Sequence, residues 1–177
     1  MAVHTLTLLA WISLIVSSFI AYNVLYKTPT AVSEKVYQIG IIDMLGPFWD
    51  ESIARSLFEQ YGEEGRKWAA DEYFDFPFCD CVFAVANSIT LGLFLYINQP
   101  SRRWMCVFAL CTGAFDIGEN ISISTLQQTF PEMDSLAMKL GPKITLAKYV
   151  FAAVSLLGIL QGSLSSCYGT ARRVKND

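Results

Sequence analysis

Residues 104–125 read WMCVFALCTGAFDIGENISIST, an apolar stretch that carries Asp116, Glu119 and Asn120 in its second half. The stretch is long enough to cross a bilayer, which takes roughly 20 residues of helix. The three polar residues are spaced i, i+3 and i+4, so on a helix they share one face. Because an ionisable group inside a bilayer costs about 2.5–3.5 kcal/mol on insertion scales, such groups turn toward protein or water. The sequence therefore predicts a transmembrane helix whose polar face finds partners elsewhere in the chain.

Three further apolar runs accompany this stretch, and together the four runs predict an all-α fold, a polytopic transmembrane four-helix bundle. The predicted spans cover about residues 6–26, 76–97, 104–125 and 143–164 of a single domain, 1–177. Hydrophobic residues make up 53% of the chain and charged residues only 16%, whereas a soluble domain is about 25% charged. The first run could also be a cleaved signal peptide, but the absence of Lys or Arg before it favours a retained helix.

The polar segment 27–75 between the first two spans predicts an amphipathic helix outside the bilayer. Trp49, Ile53 and Leu57 recur at helical spacing on one face, and acidic residues take the opposite face. We expect this helix to lie on the membrane surface or to cap the bundle. Gly62 and Gly65 are predicted to break it.

Prolines and glycines predict where the later spans begin and turn. Pro77 suits the first turn of the second span, where its missing N–H costs nothing. Residues 98–101 (NQPS) predict a tight turn that makes the second and third spans an antiparallel hairpin. A loop over 127–141 is expected next, and Gly141-Pro142 is expected to open the fourth span.

Depth along the predicted helices brings ionisable residues from three spans to one level, since a helix rises about 1.5 Å per residue. Asp80 and Lys148 are each expected about one turn inside their spans, level with Asp116 and Glu119. With Asn120 beside them, the predicted layer contains three acids and one lysine. Unpaired charges there are costly, so at least one acid must be protonated, bind a cation or face water.

Two interpretations of this layer stay open. In the first, a Lys148–Glu119 ion pair and its neighbours fix the helix register, each contact contributing about 0.6–2 kcal/mol. In the second, the layer is a cation or proton site or a polar substrate pocket. The charge imbalance keeps the second interpretation open, because a purely structural cluster would more economically be neutral. Secondary polar candidates in the same spans are Asn87, Thr90 and Thr145.

Several classes of site are not predicted. The five cysteines are an odd number without a CxxC motif, and Cys79-Asp80-Cys81 is too tight for a close dithiol site. His4 is the only histidine, so neither a histidine-based metal site nor a catalytic histidine is expected. No cofactor is predicted, an enzyme is the less favoured class, and the net charge of −3 argues against nucleic acid as a partner.

Three short motifs carry a resemblance to a group of membrane proteins. They are YGEEGR at 61–66, DFP at 75–77 and Asp116-Ile117-Gly118-Glu119-Asn120. Together they resemble uncharacterised four-helix integral membrane proteins with an Asp-x-x-Glu-Asn motif in the third span. The resemblance implies a shared four-span fold with a polar centre at Asp116, Glu119 and Asn120. It implies no activity.

Lys and Arg density in short loops predicts that both termini are cytoplasmic, because Arg102 and Arg103 and the basic residues of the tail lie on the short segments. The tail 173–177 (RVKND) faintly resembles a retrieval signal of the endoplasmic reticulum. Two functional classes are carried forward, both with the lipid bilayer as a partner. One is a small accessory or assembly subunit of a larger membrane complex. The other is a cation- or proton-coupled carrier or channel that uses the intramembrane acids.

Overall fold

The chain folds into α-helices joined by short turns. A computed structural model describes residues 2–25, 30–77 and 79–174, with side chains over 5–23, 30–42, 45–77 and 79–165. No strand occurs in these segments, which confirms the all-α prediction. The α-helices are α1 (Ala2–Leu25), α2 (Ala31–Ile39), α3 (Glu51–Glu72), α4 (Asp80–Asn98), α5 (Cys106–Gln128) and α6 (Ser135–Val174), and 3-10 helices cover Ile42–Phe48 and Arg103–Met105.

Four segments are long and apolar enough to cross a membrane, judged by length and composition: Thr5–Asn23, Asp80–Asn98, Arg103–Gln128 and Ser135–Ser165. They correspond to the four predicted spans, although the predicted end of the first span, at residue 26, lies outside the described residues. α1 packs on α4, α4 on α5, and α5 on α6. α1 exposes large apolar side chains along most of its length, as a helix at the edge of a bundle in lipid does.

The predicted hairpin between the second and third spans forms, and its turn is anchored to α6. Gln99 is buried in the turn and donates a hydrogen bond to the Gly158 carbonyl oxygen at 2.6 Å. Deeper in the bundle, the Ser88 hydroxyl donates to the Ala109 carbonyl oxygen at 2.7 Å. Gly113 lies opposite Ser88, and a Cβ at Gly113 would come within 2.7 Å of the serine Cβ. Small residues therefore let α4 and α5 approach closely.

Residues 31–72 form a cap over one end of the bundle, which is the second of the two positions expected for the amphipathic helix. One face of α3 is buried, including Ala54, Phe58 and Tyr61. It packs against α2 and α5, and the 3-10 helix Ile42–Phe48 packs against α6. The joint core contains Val36, Ile42, Trp49, Ala54, Phe58, Tyr61, Ala69, Tyr73, Ile123, Leu126, Met133 and Ala137.

Of the two glycines expected to break the amphipathic helix, only Gly62 does so. Its φ of 72° lies in the left-handed region, and the backbone kinks there inside α3. The break predicted at Gly65 is wrong, because Gly65 is helical and buried. A Cβ at Gly65 would lie 3.2 Å from the Val36 side chain, so this glycine permits the close contact between α3 and α2.

The predicted beginnings of two spans are also wrong. α4 begins at Asp80 rather than near residue 76, so Pro77 precedes the helix instead of occupying its first turn. α6 begins at Ser135, and Pro142 lies inside the helix rather than at its start. Its N-terminus is capped by Asp134, whose carboxylate accepts a hydrogen bond from the Ala137 backbone N–H at 2.7 Å. The predicted loop 127–141 is accordingly reduced to a turn over 129–134.

Helix α2 was not predicted at all. It begins with a capping box, in which the Thr30 side chain accepts from the Ser33 backbone N–H at 3.1 Å and Ser33 returns a bond to the Thr30 backbone N–H. A Thr and a Ser three residues apart after a proline are the signal that could have indicated it.

Candidate functional site

The centre of the candidate site is Lys148 of α6, which lies between two carboxylates of α5. Its Nζ is 3.2 Å from Asp116 Oδ1 and forms a second ion pair with Glu119 Oε2. The two acids are one helical turn apart, so one ammonium group reaches both. Glu119 is completely buried, and the side chain of Lys148 is only 16% exposed. The sequence had anticipated the pair with Glu119; the contact with Asp116 is additional.

Thr145 completes the environment of Glu119. Its hydroxyl donates to Glu119 Oε1 at 2.6 Å, while Lys148 contacts the other carboxylate oxygen. Thr145 and Lys148 are three residues apart on α6 and therefore face α5 together. Thr145 is completely buried, and the carbonyl oxygen of Gly141 lies 3.1 Å from its hydroxyl. A residue treated as secondary in the sequence is thus part of the centre, and both oxygens of the buried carboxylate are satisfied.

Asp80 and Asn120 form the second half of the cluster. Asn120 Nδ2 donates to Asp80 Oδ2 at 2.7 Å and lies 3.6 Å from the sulfur of Cys81. The prediction that Asp80 lies one turn inside the second span is wrong, because Asp80 is the first residue of α4. A carboxylate at that position is stabilised by the positive end of the helix dipole. This second acid–amide contact ties the start of α4 to α5.

The remaining secondary candidates lie apart from this centre. The Thr90 hydroxyl is 2.8 Å from the Ser13 hydroxyl and joins α4 to α1. Asn87 is half-buried, and within the described segments no hydrogen bond connects it to the cluster. Of the eight predicted polar residues, six are therefore brought together: Asp80, Asp116, Glu119, Asn120, Thr145 and Lys148.

The chemistry available to the cluster follows from its charges. The cluster contains three carboxylates and one ammonium group. Lys148 contacts the carboxylates of Asp116 and Glu119, whereas Asp80 is held by the Asn120 amide at the N-terminus of α4. The described residues include no group of three or more His, Cys, Asp or Glu side chains placed to hold a metal ion. Asn120 is 1% exposed, and its Oδ1 accepts no hydrogen bond from the described residues. Among the fully buried polar side-chain atoms of the cluster's described residues, that oxygen is the one without a partner.

Sequence reasoning missed Gln127, which continues the polar face of α5 toward the cap. Asp116, Asn120, Ser124 and Gln127 follow one another at helical spacing, and all four are buried. Extending the pattern beyond the predicted end of the span at residue 125 would have found Gln127. Gln127 is 3% exposed, and neither polar atom of its amide has a partner in the described part of the chain.

No protein-family model, no curated protein and no solved structure matches the chain. The resemblance based on the Asp-x-x-Glu-Asn motif stays a prediction.

Proposed function

We propose that the chain is a small accessory or assembly subunit of a larger membrane complex. The observation that carries this proposal is Lys148, whose ammonium group occupies the position between Asp116 and Glu119. A transported cation would need that position, and a cation covalently attached to α6 cannot leave it. The cluster therefore supports a structural role, in which it locks α6 to α5 and α5 to α4.

Energetics agree with a locking role. Interhelical polar contacts in membranes contribute about 0.6–2 kcal/mol each, and this cluster contains several of them. Losing one partner of a buried pair costs more, about 3–5 kcal/mol, because an uncompensated charge is left behind. A different helix register would therefore lose more free energy, by separating the buried pairs, than the correct register gains by forming them. A subunit that must present a fixed shape to neighbouring proteins benefits from that property.

A cation- or proton-coupled carrier or channel is the second candidate. It is favoured by the excess of acid over base and by the unpartnered Oδ1 of Asn120 beside Asp80. This candidate requires flux through the isolated protein, which the accessory role does not.

For the placement in the membrane, we propose that both termini are cytoplasmic and that the cap lies on the opposite side. The cap and the turn after α5 lie at one end of the bundle, because Arg55 donates to the Pro131 carbonyl oxygen at 2.9 Å. Arg102 and Arg103 are at the other end of α5. The tail that resembles a retrieval signal of the endoplasmic reticulum extends to residues 175–177, which are outside the described residues. The proposed partners are the bilayer and other membrane subunits, and not nucleic acid.

Co-purification tests the accessory role. The full chain is expressed with a tag at its native level and extracted in a mild detergent, and native mass spectrometry measures the mass of the complex that it forms. We expect one complex with a fixed ratio of partner to subunit, absent from a control preparation of an unrelated membrane protein with the same tag. A preparation containing only this 19.8 kDa chain or multiples of it would contradict the proposal.

A further inference from the structure

A polar cavity lies between the second half of α3 and the end of α5, away from the ionic cluster. Its volume is about 570 Å³, within the roughly 300–1,000 Å³ of small-molecule sites. Its lining residues are Glu63, Arg66, Lys67, Ala70, Asp71, Gln127, Gln128 and Phe130. The cavity lies at the C-terminal end of α5, which is long and apolar enough to span a bilayer. A cavity at the end of a membrane-spanning helix would lie at the level of lipid headgroups.

Gln127 is the observation that points to a ligand. It lines the cavity, yet its amide nitrogen and oxygen are both buried and have no hydrogen-bond partner among the described residues. Its neighbours are satisfied: Gln128 donates to the Ser124 hydroxyl at 3.1 Å, and that hydroxyl donates to the Ala70 carbonyl oxygen at 3.2 Å. Burying an amide without partners is unfavourable, so a side chain kept in this state is suited to a ligand that supplies both a donor and an acceptor.

The charged wall of the cavity has a regular pattern. Glu63, Lys67 and Asp71 are spaced i, i+4 and i+8 along α3, so a positive group lies one turn from a negative group on each side. No ion pair joins these three in the described part of the chain, which leaves them available. Arg66 adds a second positive charge and is held in place by a hydrogen bond to the Phe58 carbonyl oxygen at 2.9 Å and by stacking over Phe130 at 4.4 Å.

We propose that this cavity binds a zwitterionic phosphoethanolamine group. The phosphate would take the two adjacent cations, Arg66 and Lys67, of which Arg is particularly suited to phosphate. The primary ammonium group, two carbons away, would reach the carboxylates of Glu63 or Asp71, one helical turn along, about 5–6 Å between Cβ atoms. The Gln127 amide nitrogen would donate to a glycerol oxygen of either compound, and its amide oxygen would accept from a glycerol hydroxyl of the soluble diester. The group can belong to a bilayer lipid or to a soluble glycerophosphodiester.

The same geometry predicts discrimination against choline. A primary ammonium donates hydrogen bonds to carboxylates, whereas a trimethylammonium cannot and is recognised by aromatic faces. Phe130, the aromatic residue of the lining, is already covered by Arg66. We therefore expect glycerophosphoethanolamine to bind at least about tenfold more tightly than glycerophosphocholine, as losing hydrogen bonds to charged groups implies.

Calorimetry with the purified full chain in detergent measures the binding of the two soluble compounds, glycerophosphoethanolamine and glycerophosphocholine. In a second experiment, the chain is extracted from vesicles that contain equal amounts of ethanolamine and choline lipid, and native mass spectrometry identifies the phospholipid that stays bound. The variants are Lys67→Gln and Gln127→Met, with Lys139→Gln and Gln60→Met as exposed controls outside the cavity. Gln127→Met removes two unpaired polar atoms, so without ligand it should unfold at a higher temperature than the wild type while losing binding. That combination separates a lost site from a lost fold.

The proposal is supported if the soluble ethanolamine compound binds and if Lys67→Gln and Gln127→Met each weaken that binding at least about tenfold while the control variants do not. Retention of the ethanolamine lipid alone, with the same sensitivity, supports it with the bilayer as the source. Equal binding of choline, equal loss in the control variants, or no binding in either arm would overturn it.

Discussion

Replacing Lys148 by Met should be among the most destabilising single changes in the bundle. Lys148 contacts both Asp116 and Glu119, and Glu119 is completely buried. The variant therefore leaves two neighbouring carboxylates without their cation. Breaking a buried pair in this way costs about 3–5 kcal/mol. For a chain of this size each kcal/mol lowers the unfolding midpoint by about 2–4 °C, so the expected loss is roughly 6–20 °C.

Glu119→Gln should cost less, because the structure leaves Lys148 its second partner. Asp116 stays 3.2 Å from the ammonium group, and Thr145 can still donate to the amide oxygen of the new side chain. The expected loss is that of an altered buried hydrogen bond, about 1–3 kcal/mol. The double variant Lys148→Met/Glu119→Gln should be no less stable than Lys148→Met alone. Replacing Asp116 by Asn as well should recover most of the remaining loss, since the three-residue group is then neutral.

The assay is thermal unfolding in detergent followed by tryptophan fluorescence, with Lys143→Met as the matched control. Lys143 lies on the same helix but is exposed, so its replacement should leave the free energy of unfolding within about 0.5 kcal/mol of the wild type. Additive losses in the double variant would mean that Lys148 and Glu119 do not interact, and the cluster described above would be wrong.

Three further predictions concern the cap and the helix ends. Gly141→Ala places a methyl group against the tryptophan of the cap and should lower the free energy of unfolding by about 1–3 kcal/mol. Gly118→Ala, whose Cβ would lie 3.4 Å from its nearest neighbour, should be close to neutral, and thermal unfolding compares the two variants. Asp134→Ala removes the N-cap of α6 and should cost about 0.5–2 kcal/mol in the same assay. Asp50 is the N-cap of α3, and hydrogen bonds from the Ser52 hydroxyl and a backbone N–H of the same turn hold its pKa below the ordinary value of 3.8. The stability that the ionised Asp50 contributes is therefore fully present above pH 3.8 and is lost as the pH falls through the lower pKa of the folded state. Ser52→Ala should raise the pKa of Asp50 toward 3.8 in an NMR titration, and an unchanged value would contradict that cause.

The helices and the acidic face of α5 were predictable because their signals are local. Hydrophobic length identifies a span, and the spacing of Asp116, Glu119 and Asn120 defines a face without knowledge of the fold. Lys148 could be proposed as the partner because it lies within the fourth apolar run, where an unpaired lysine is costly. Its second contact, with Asp116, depends on how α6 is rotated against α5, and the sequence carries no direct signal for that.

The wrong predictions share a physical cause, which is that tertiary packing and capping outweighed the local preference of proline and glycine to start or break a helix. Pro142 would normally mark a helix start, yet α6 continues through it to the stronger cap at Asp134. Gly65 reads as a breaker but is a packing glycine under α2. The cavity around Gln127 combines residues more than fifty positions apart along the chain, so no local pattern could have indicated it.

The central claim is that Lys148 fills the place that a transported cation would need, so that the cluster holds helices together rather than conducting ions. Its most direct test is cation and proton flux into liposomes containing the purified wild-type chain, measured beside protein-free liposomes and the Lys148→Met/Glu119→Gln variant. We expect no flux above the protein-free background from either protein. Cation or proton flux by the wild type that the double variant loses would contradict the claim and establish the cluster as a transport site.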